Sequence, residues 1–349
     1  MPSRRHFLAG LAAASSLPAM GWAAAGSPAY LAAARDPSGA YALFGLDGTG
    51  HDIFRIPLPD RGHAAAAHPT APEAVAFARR PGRFALVIDC EKGRVAHRLD
   101  APVGRHFYGH GAFLQGGAIL ATSENDIDSG EGRIGLWSRA KGYARIGEIA
   151  SGGVGPHEIR RWAEDVLVVA NGGIRTHPDS GREKLNIDVM RPNLSYVSFS
   201  GEVLEQVSLP DDLHKNSIRH LAVGSDGRVA FGMQWQGDGD APALVGLHQQ
   251  GETPLLLDGA EDMHGYIGSI ALSDDGSEIA VTSPRAGLVQ VFDAATASYT
   301  RSIALTDVCG VAAAPEDFVV TSGTGIVQRL SGRLNPEKPL MWDNHLVRL

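Results

Sequence analysis

Cysteine is nearly absent from this sequence: Cys90 and Cys309 are its whole complement. Two thiols cannot build a disulfide framework. They also fall in repeats two and seven of the pattern below, which are not neighbours, so no bridge is expected. Aromatic residues are sparse at 7%, while 43 glycines suit a chain with many tight turns. Beyond the N-terminus no apolar run is long enough to cross a bilayer. No basic run occurs there either, and the net charge is −8, which excludes nucleic acid as a partner. Long helical periodicity is missing. So are a Gly-x-Ser-x-Gly elbow, a His-Glu-x-x-His pair and a phosphate loop. His157-Glu158 lacks the second histidine of a zincin helix. No serine nucleophile is indicated, and catalytic residues stay unassigned.

The N-terminus reads as a targeting segment. Ser3-Arg4-Arg5-His6-Phe7-Leu8 has the pattern of a twin-arginine export signal, and a short apolar stretch of small residues follows. Ala23-Ala24-Ala25 supplies an A-x-A cleavage site before Gly26. The expectation is a signal peptide over residues 1–25 and a periplasmic domain over residues 26–349. No membrane span remains after signal removal. This export route carries folded proteins, often with a cofactor already in place.

Short alternating apolar segments with turn signals between them fill the remainder. The clearest unit has strands at Ile267-Gly268-Ser269-Ile270-Ala271-Leu272, Glu278-Ile279-Ala280-Val281-Thr282, Leu288-Val289-Gln290-Val291-Phe292-Asp293 and Tyr299-Thr300-Arg301-Ser302-Ile303-Ala304-Leu305. Four antiparallel strands repeating every ~40–45 residues mark a propeller blade, and seven such units fit, as in WD40-like rings. The predicted fold is an all-β, seven-bladed β-propeller. Its second unit is read as opening at Ala74-Val75-Ala76-Phe77-Ala78. The first unit, with strands near Tyr30, Tyr41 and Asp52, is one strand short. Residues 346–349 are expected to supply the missing inner strand beside Leu31, closing the ring and leaving no open edge.

Histidine recurs at one place in this repeat. His110, His157 and His220 stand at the same offset before second strands beginning at Ile119, Val166 and Val229, and Asn344-His345-Leu346 resembles Arg219-His220-Leu221. A repeat fold puts equivalent residues at one level, so the inner positions around the axis are read as His345, Val75, His110, His157, His220, Ser269 and Cys309. Neutral imidazole is a common transition-metal ligand. His110, His157, His220 and His345 are therefore the candidate metal ligands, with occupancy expected to fall as pH drops through the imidazole range. His106, His264 and Cys309 form a second tier. His68 and His214 are further loop histidines. Glu124, Asn125, Asp126, Asn171, Arg175, Lys184 and Gln234 lie in segments assigned to the same face, as candidates to orient ligands or touch substrate. The long insertion after Asn171, with Arg175, Arg182 and Lys184, is a candidate cover or anion-binding loop.

Several strings carry a resemblance: Tyr108-Gly109-His110-Gly111, Ser123-Glu124-Asn125-Asp126, Gly155-Pro156-His157-Glu158, Ser217-Ile218-Arg219-His220 and Trp342-Asp343-Asn344-His345. The chain resembles the domain of unknown function 1513 family over nearly its whole mature length. That resemblance implies a seven-bladed propeller exported by the twin-arginine route. It also implies genes often found beside imelysin-like proteins linked to iron acquisition, and it brings no established activity. The leading reading is a periplasmic, monomeric propeller that binds iron or copper through axial histidines, in metal handling or redox chemistry, with an imelysin-like protein as candidate partner. Two other readings stand beside it: a non-enzymatic protein-interaction platform, and a hydrolase or lyase using a channel histidine as base.

Overall fold

The computed structural model describes residues 21–79, 83–181, 183–259, 262–333 and 337–349. Arg4, Arg5 and Arg182 therefore lie outside the described residues. Seven four-stranded antiparallel sheets form one ring. Their inner strands are Met341–Arg348, Gly62–Ala67, Arg105–Leu114, Pro156–Ala163, Asn216–Val223, Ser269–Leu272 and Val308–Ala314. Each inner strand touches the next, and the last touches the first, around a central channel.

The sequence pattern explains the layering. Second strands such as Val166–Asn171 (VLVVAN) are nearly continuous apolar runs and are buried, as strands covered on both faces require. Outermost strands such as Arg94–Asp100 (RVAHRLD) are largely exposed. Seven apolar clusters fill the seven seams between adjacent blades. No helix among the described residues is long and apolar enough to cross a membrane.

The ring closes as expected. The strand Met341–Arg348 pairs antiparallel with Tyr30–Arg35, with Leu31 opposite Val347 and Ala32 opposite Leu346. It completes the first blade. One strand assignment needs correction. The second blade opens at Gly62–Ala67, not at Ala74, and Glu73–Ala78 is its second strand. The inner strand there is GHAAAA. Alanine has weak β propensity, so this run carries little strand signal, although its burial between neighbours makes it one. Val75 is consequently a packing residue in the seam with the third blade.

The N-terminal segment also packs. A short 3-10 turn, Trp22–Ala25, places the Trp22 ring in the seam of the first two blades, and its Nε1–H donates to the His68 carbonyl at 3.0 Å. Cys90 and Cys309 are both free and buried.

Candidate metal centre

The axial histidines sit on irregular backbone. In the first five blades the ladder between inner and second strands, or the closing strand's ladder to Tyr30–Arg35, slips where the histidine stands. The slips fall between Gly62 and Ala65, Phe107 and Gly111, Pro156 and Glu158, and Ile218 and His220, and across residues 343–345 of the closing strand. A bulge of this kind re-aims one side chain and breaks the ladder locally. Glycine permits it in the third blade. Gly109 has φ +92°, and a Cβ there would stand 2.9 Å from His63 Cδ2.

The result is a cluster of five imidazoles. Ring centroids of His63, His110 and His345 lie 4.6–4.9 Å apart pairwise. His157 adjoins His110 at 4.8 Å, and His220 adjoins His157 at 5.0 Å and His345 at 5.2 Å. All four sequence-predicted ligands converge, and His63 joins them. Two sets bring one donor atom from each residue within 4.8 Å of the others: His63, His110 and His345, and Glu158, His220 and His345. Ligand atoms on one tetrahedral ion with ~2.1 Å bonds lie about 3.4 Å apart. The 4.8 Å spread is wider than this, so either set needs side-chain movement to close on a single ion.

His63 carried a usable signal. An equal interval of 47 residues separates His63 from His110 and His110 from His157. The insertion in the fourth blade breaks that interval before His220.

Burial sets the electrostatics. It pushes the basicity of His110, His157 and His345 well below the ordinary imidazole value, and that of His63 below it, so the rings stay neutral. Mutual repulsion adds to this, because a proton on His345 disfavours one on His110, a proton on His63 disfavours one on His345, and the Arg219 guanidinium disfavours one on His157. Two buried carboxylates border the rings. Burial opposes the charge on Glu158, but Arg160 and the His220 ring outweigh it and hold the carboxyl well below the usual range. Asp343 behaves likewise through His63, Arg79 and Arg61.

Hydrogen bonding covers only part of the cluster. His157 Nδ1 is 3.0 Å from the Arg219 carbonyl, and His63 Nδ1 is 3.4 Å from Asp343 Oδ1. His220 Nδ1 lies 3.5 Å from Glu158 Oε2, close enough for an ion pair but without hydrogen-bond geometry. Glu158 is otherwise engaged: Oε1 accepts from Arg160 Nε and Oε2 from the Leu221 N–H. His110 Nε2, His345 Nε2 and both His220 ring nitrogens are buried without a hydrogen-bond partner.

The remaining candidates divide. Lys184 and Gln234 line a chamber of about 180 Å³ over the cluster, together with His63, His157 and His220. The Glu124 carboxylate instead lies within the third blade, held by both Arg145 amino groups and by Thr122. Asp126 is taken up by a turn and by Arg105. Its neighbour Asn125 is buried on the same strand. Asn171 joins Ser151 and Asn193 in a network between strands. Arg175 reaches sideways to the Asp128 carbonyl. In the second tier, His106 is buried with Nδ1 at 2.7 Å from the Phe107 carbonyl, and His264 is exposed beside the Arg285 carbonyl. Cys309 bonds the Asp307 carbonyl, and burial pushes its thiol up to about 12. These groups stabilise blades and loops rather than meet the axial nitrogens.

Comparison with known proteins agrees with this architecture. The chain is similar in structure to Kuenenia stuttgartiensis hydrazine synthase, with TM-score 0.60 and 12% identity over 89% of each chain. It is also similar to KlHsv2 carrying a Gly-Ser linker in place of loop 6CD, with TM-score 0.55 and 14% identity over 89% of this chain and 91% of that one. At such identities the likeness shows the propeller alone. No curated protein matches the sequence. Residues 56–349 match the family described as "Protein of unknown function (DUF1513)", and the chain belongs to that family.

Proposed function

We propose that this protein binds a transition-metal ion, iron or copper, in the axial histidine cluster, and that it serves metal handling or redox chemistry in the periplasm. The observation that carries the reading is the set of buried imidazole nitrogens on His110, His220 and His345 without hydrogen-bond partners. An orphaned buried polar atom costs about 1–3 kcal/mol, and one such atom in a native fold calls for an unseen ion or water. Four of them, on three rings of one cluster, favour an ion. Burial keeps the His63, His110 and His345 rings neutral, which is the form that ligates. His63, His110 and His345 form the preferred donor set, because the Glu158 carboxylate is already committed to Arg160 and the Leu221 N–H. Asp343 orients His63 from behind, as carboxylates do for ligating histidines.

The Arg4-Arg5 motif fits this reading, since a route for folded proteins lets the ion be loaded before export. A link to iron uptake through an imelysin-like partner follows from the family resemblance. The deciding experiment is elemental analysis of protein purified from the periplasm of its native host. A stoichiometric ion, lost in His345→Ala and kept in His51→Ala, is the expected result. Protein free of metal in both forms, with water filling the cluster, overturns it in favour of an interaction platform.

A further inference from the structure

The chamber above the cluster has a charge pattern of its own. Its lining includes Arg79, Lys184 and Arg219, and among the described residues no carboxylate belongs to it. Lys184 arrives from the fourth-blade insertion, with its ammonium 2.5 Å from Gln236 Oε1. The insertion is held over the chamber by paired contacts: Asn186 Oδ1 accepts from the Arg175 N–H, and Asn186 Nδ2 donates to the Gly173 carbonyl. A further cation, Arg285, stacks at 4.3 Å on Tyr266, which also lines the chamber. Burial, Arg219 and Arg285 together lower the basicity of Lys184, as crowding of like charges predicts.

The floor of this chamber includes His157 and His220. His220 is 2% exposed, and both its ring nitrogens lack hydrogen bonds. A metal ion held by neutral imidazoles brings its full positive charge into this already cationic space. The two carboxylates nearby are spent on other cations: Asp343 on Arg61 and Arg79, and Glu158 on Arg160. A volume of about 180 Å³ equals roughly six waters at about 30 Å³ each.

We infer that the chamber binds a small oxyanion, of carboxylate or phosphate type, as a co-ligand of the metal, with Lys184 as its charge partner. This rests on the metal reading above. The anion's oxygen completes the coordination left open by the histidines, and its remaining charge faces the cationic rim. The cluster is then a site for a metal–anion complex rather than for a bare ion.

The test is calorimetry on the full chain, metal-free and metal-loaded, titrated with malonate and with inorganic phosphate at fixed ionic strength. Metal content is measured separately on every sample. Saturable binding of at least one anion to the loaded form, at least about tenfold tighter than to the metal-free form, is expected. Lys184→Gln is expected to weaken that binding by about tenfold at low salt, with less effect at high salt, while leaving metal content unchanged. The anion that binds tells a carboxylate source from a phosphate source. Metal bound at full stoichiometry with no anion affinity, or with affinity indifferent to Lys184→Gln, overturns this inference and leaves the metal reading standing. Anion binding to protein that takes up no metal overturns both.

Discussion

Burial decides the protonation state of the axial rings, and this fixes how pH acts on the protein. In the unfolded chain each histidine binds a proton below about pH 6.5. In the fold His63, His110, His157 and His345 resist protonation to lower pH. Below about 6.5 the unfolded state therefore holds more protons, and stability falls with falling pH by up to about 1.4 kcal/mol per unit for each ring. Glu158 and Asp343 act in the same direction lower down, because their depressed carboxyls lose stabilisation as pH falls below the ordinary carboxylate range. Urea midpoints of the metal-free protein should stay level above pH 7 and decline between pH 6.5 and 5; a level profile down to pH 5 contradicts the neutral cluster. For a metal held by His63, His110 and His345, the depressed basicity of these rings predicts a different pH course from the sequence-based expectation. Folded rings already neutral at pH 6.5 need no deprotonation there, so occupancy should hold through the ordinary imidazole range and fall only beneath it. Substitutions separate the roles. His63→Ala, His110→Ala or His345→Ala should cost more than about 100-fold in metal affinity, and Asp343→Asn about 10–100-fold as an orienting group. The exposed His51 and His97 should be dispensable. Calorimetric metal titrations across this set decide the matter.

At the scale of the element, the bulges carry the site. A regular strand alternates its side chains between two faces, so a slip in the ladder is what aims His110 or His157 at the axis. Gly109 shows the constraint: its φ of +92° and the 2.9 Å approach of His63 Cδ2 leave no room for a Cβ. Gly109→Ala should cost about 1–3 kcal/mol in stability and lower metal affinity through displacement of His63, measured by denaturant titration and metal binding together. The sequence made His110, His157, His220 and His345 legible because they precede well-marked apolar strands. His63 was hidden by alanines of low β propensity, though its 47-residue interval to His110 was in plain view. Glu124 and Asn171 looked like site residues because their polarity was legible and their partners were not. Arg145 and Ser151 sit on the same and the preceding blade's outer strand, distant in sequence, and absorb them. The Trp22–Ala25 turn lies inside the segment read as signal peptide, and its pocket is built from strands far along the chain. A chain starting at Gly26 lacks the buried Trp22 ring and its bond to the His68 carbonyl. It should be less stable than one starting at Gly21 by about 3–5 kcal/mol, the usual cost of emptying a tryptophan site.

The whole molecule is a ring, and its closure joins the two extremes of the described chain. Met341–Arg348 pairs with Tyr30–Arg35 on one side and meets the inner strands of the second and seventh blades on the other two. The Trp342 ring lies edge-on to Phe44 at 5.2 Å, and Leu346 packs into the seam shared by the first and seventh blades. The same strand carries His345 and Asp343, so it serves both closure and the candidate metal centre. The propeller was legible at this scale because the repeat period and the orphan terminal strand are sequence properties; the five-ring centre depends on how each strand slips against its neighbour, which they are not. Deleting residues 342–349 should expose the Tyr30–Arg35 edge, empty two seams and unfold the ring cooperatively rather than one blade alone. His345→Ala should lose the ion while keeping the closure strand. The comparison is therefore thermal unfolding of the two variants in metal-free buffer. The point variant should melt near the parent protein, and the truncated chain should melt much lower with secondary structure lost from every blade together. A truncated chain that loses only the signal of one sheet would show that closure stabilises the first blade and not the ring.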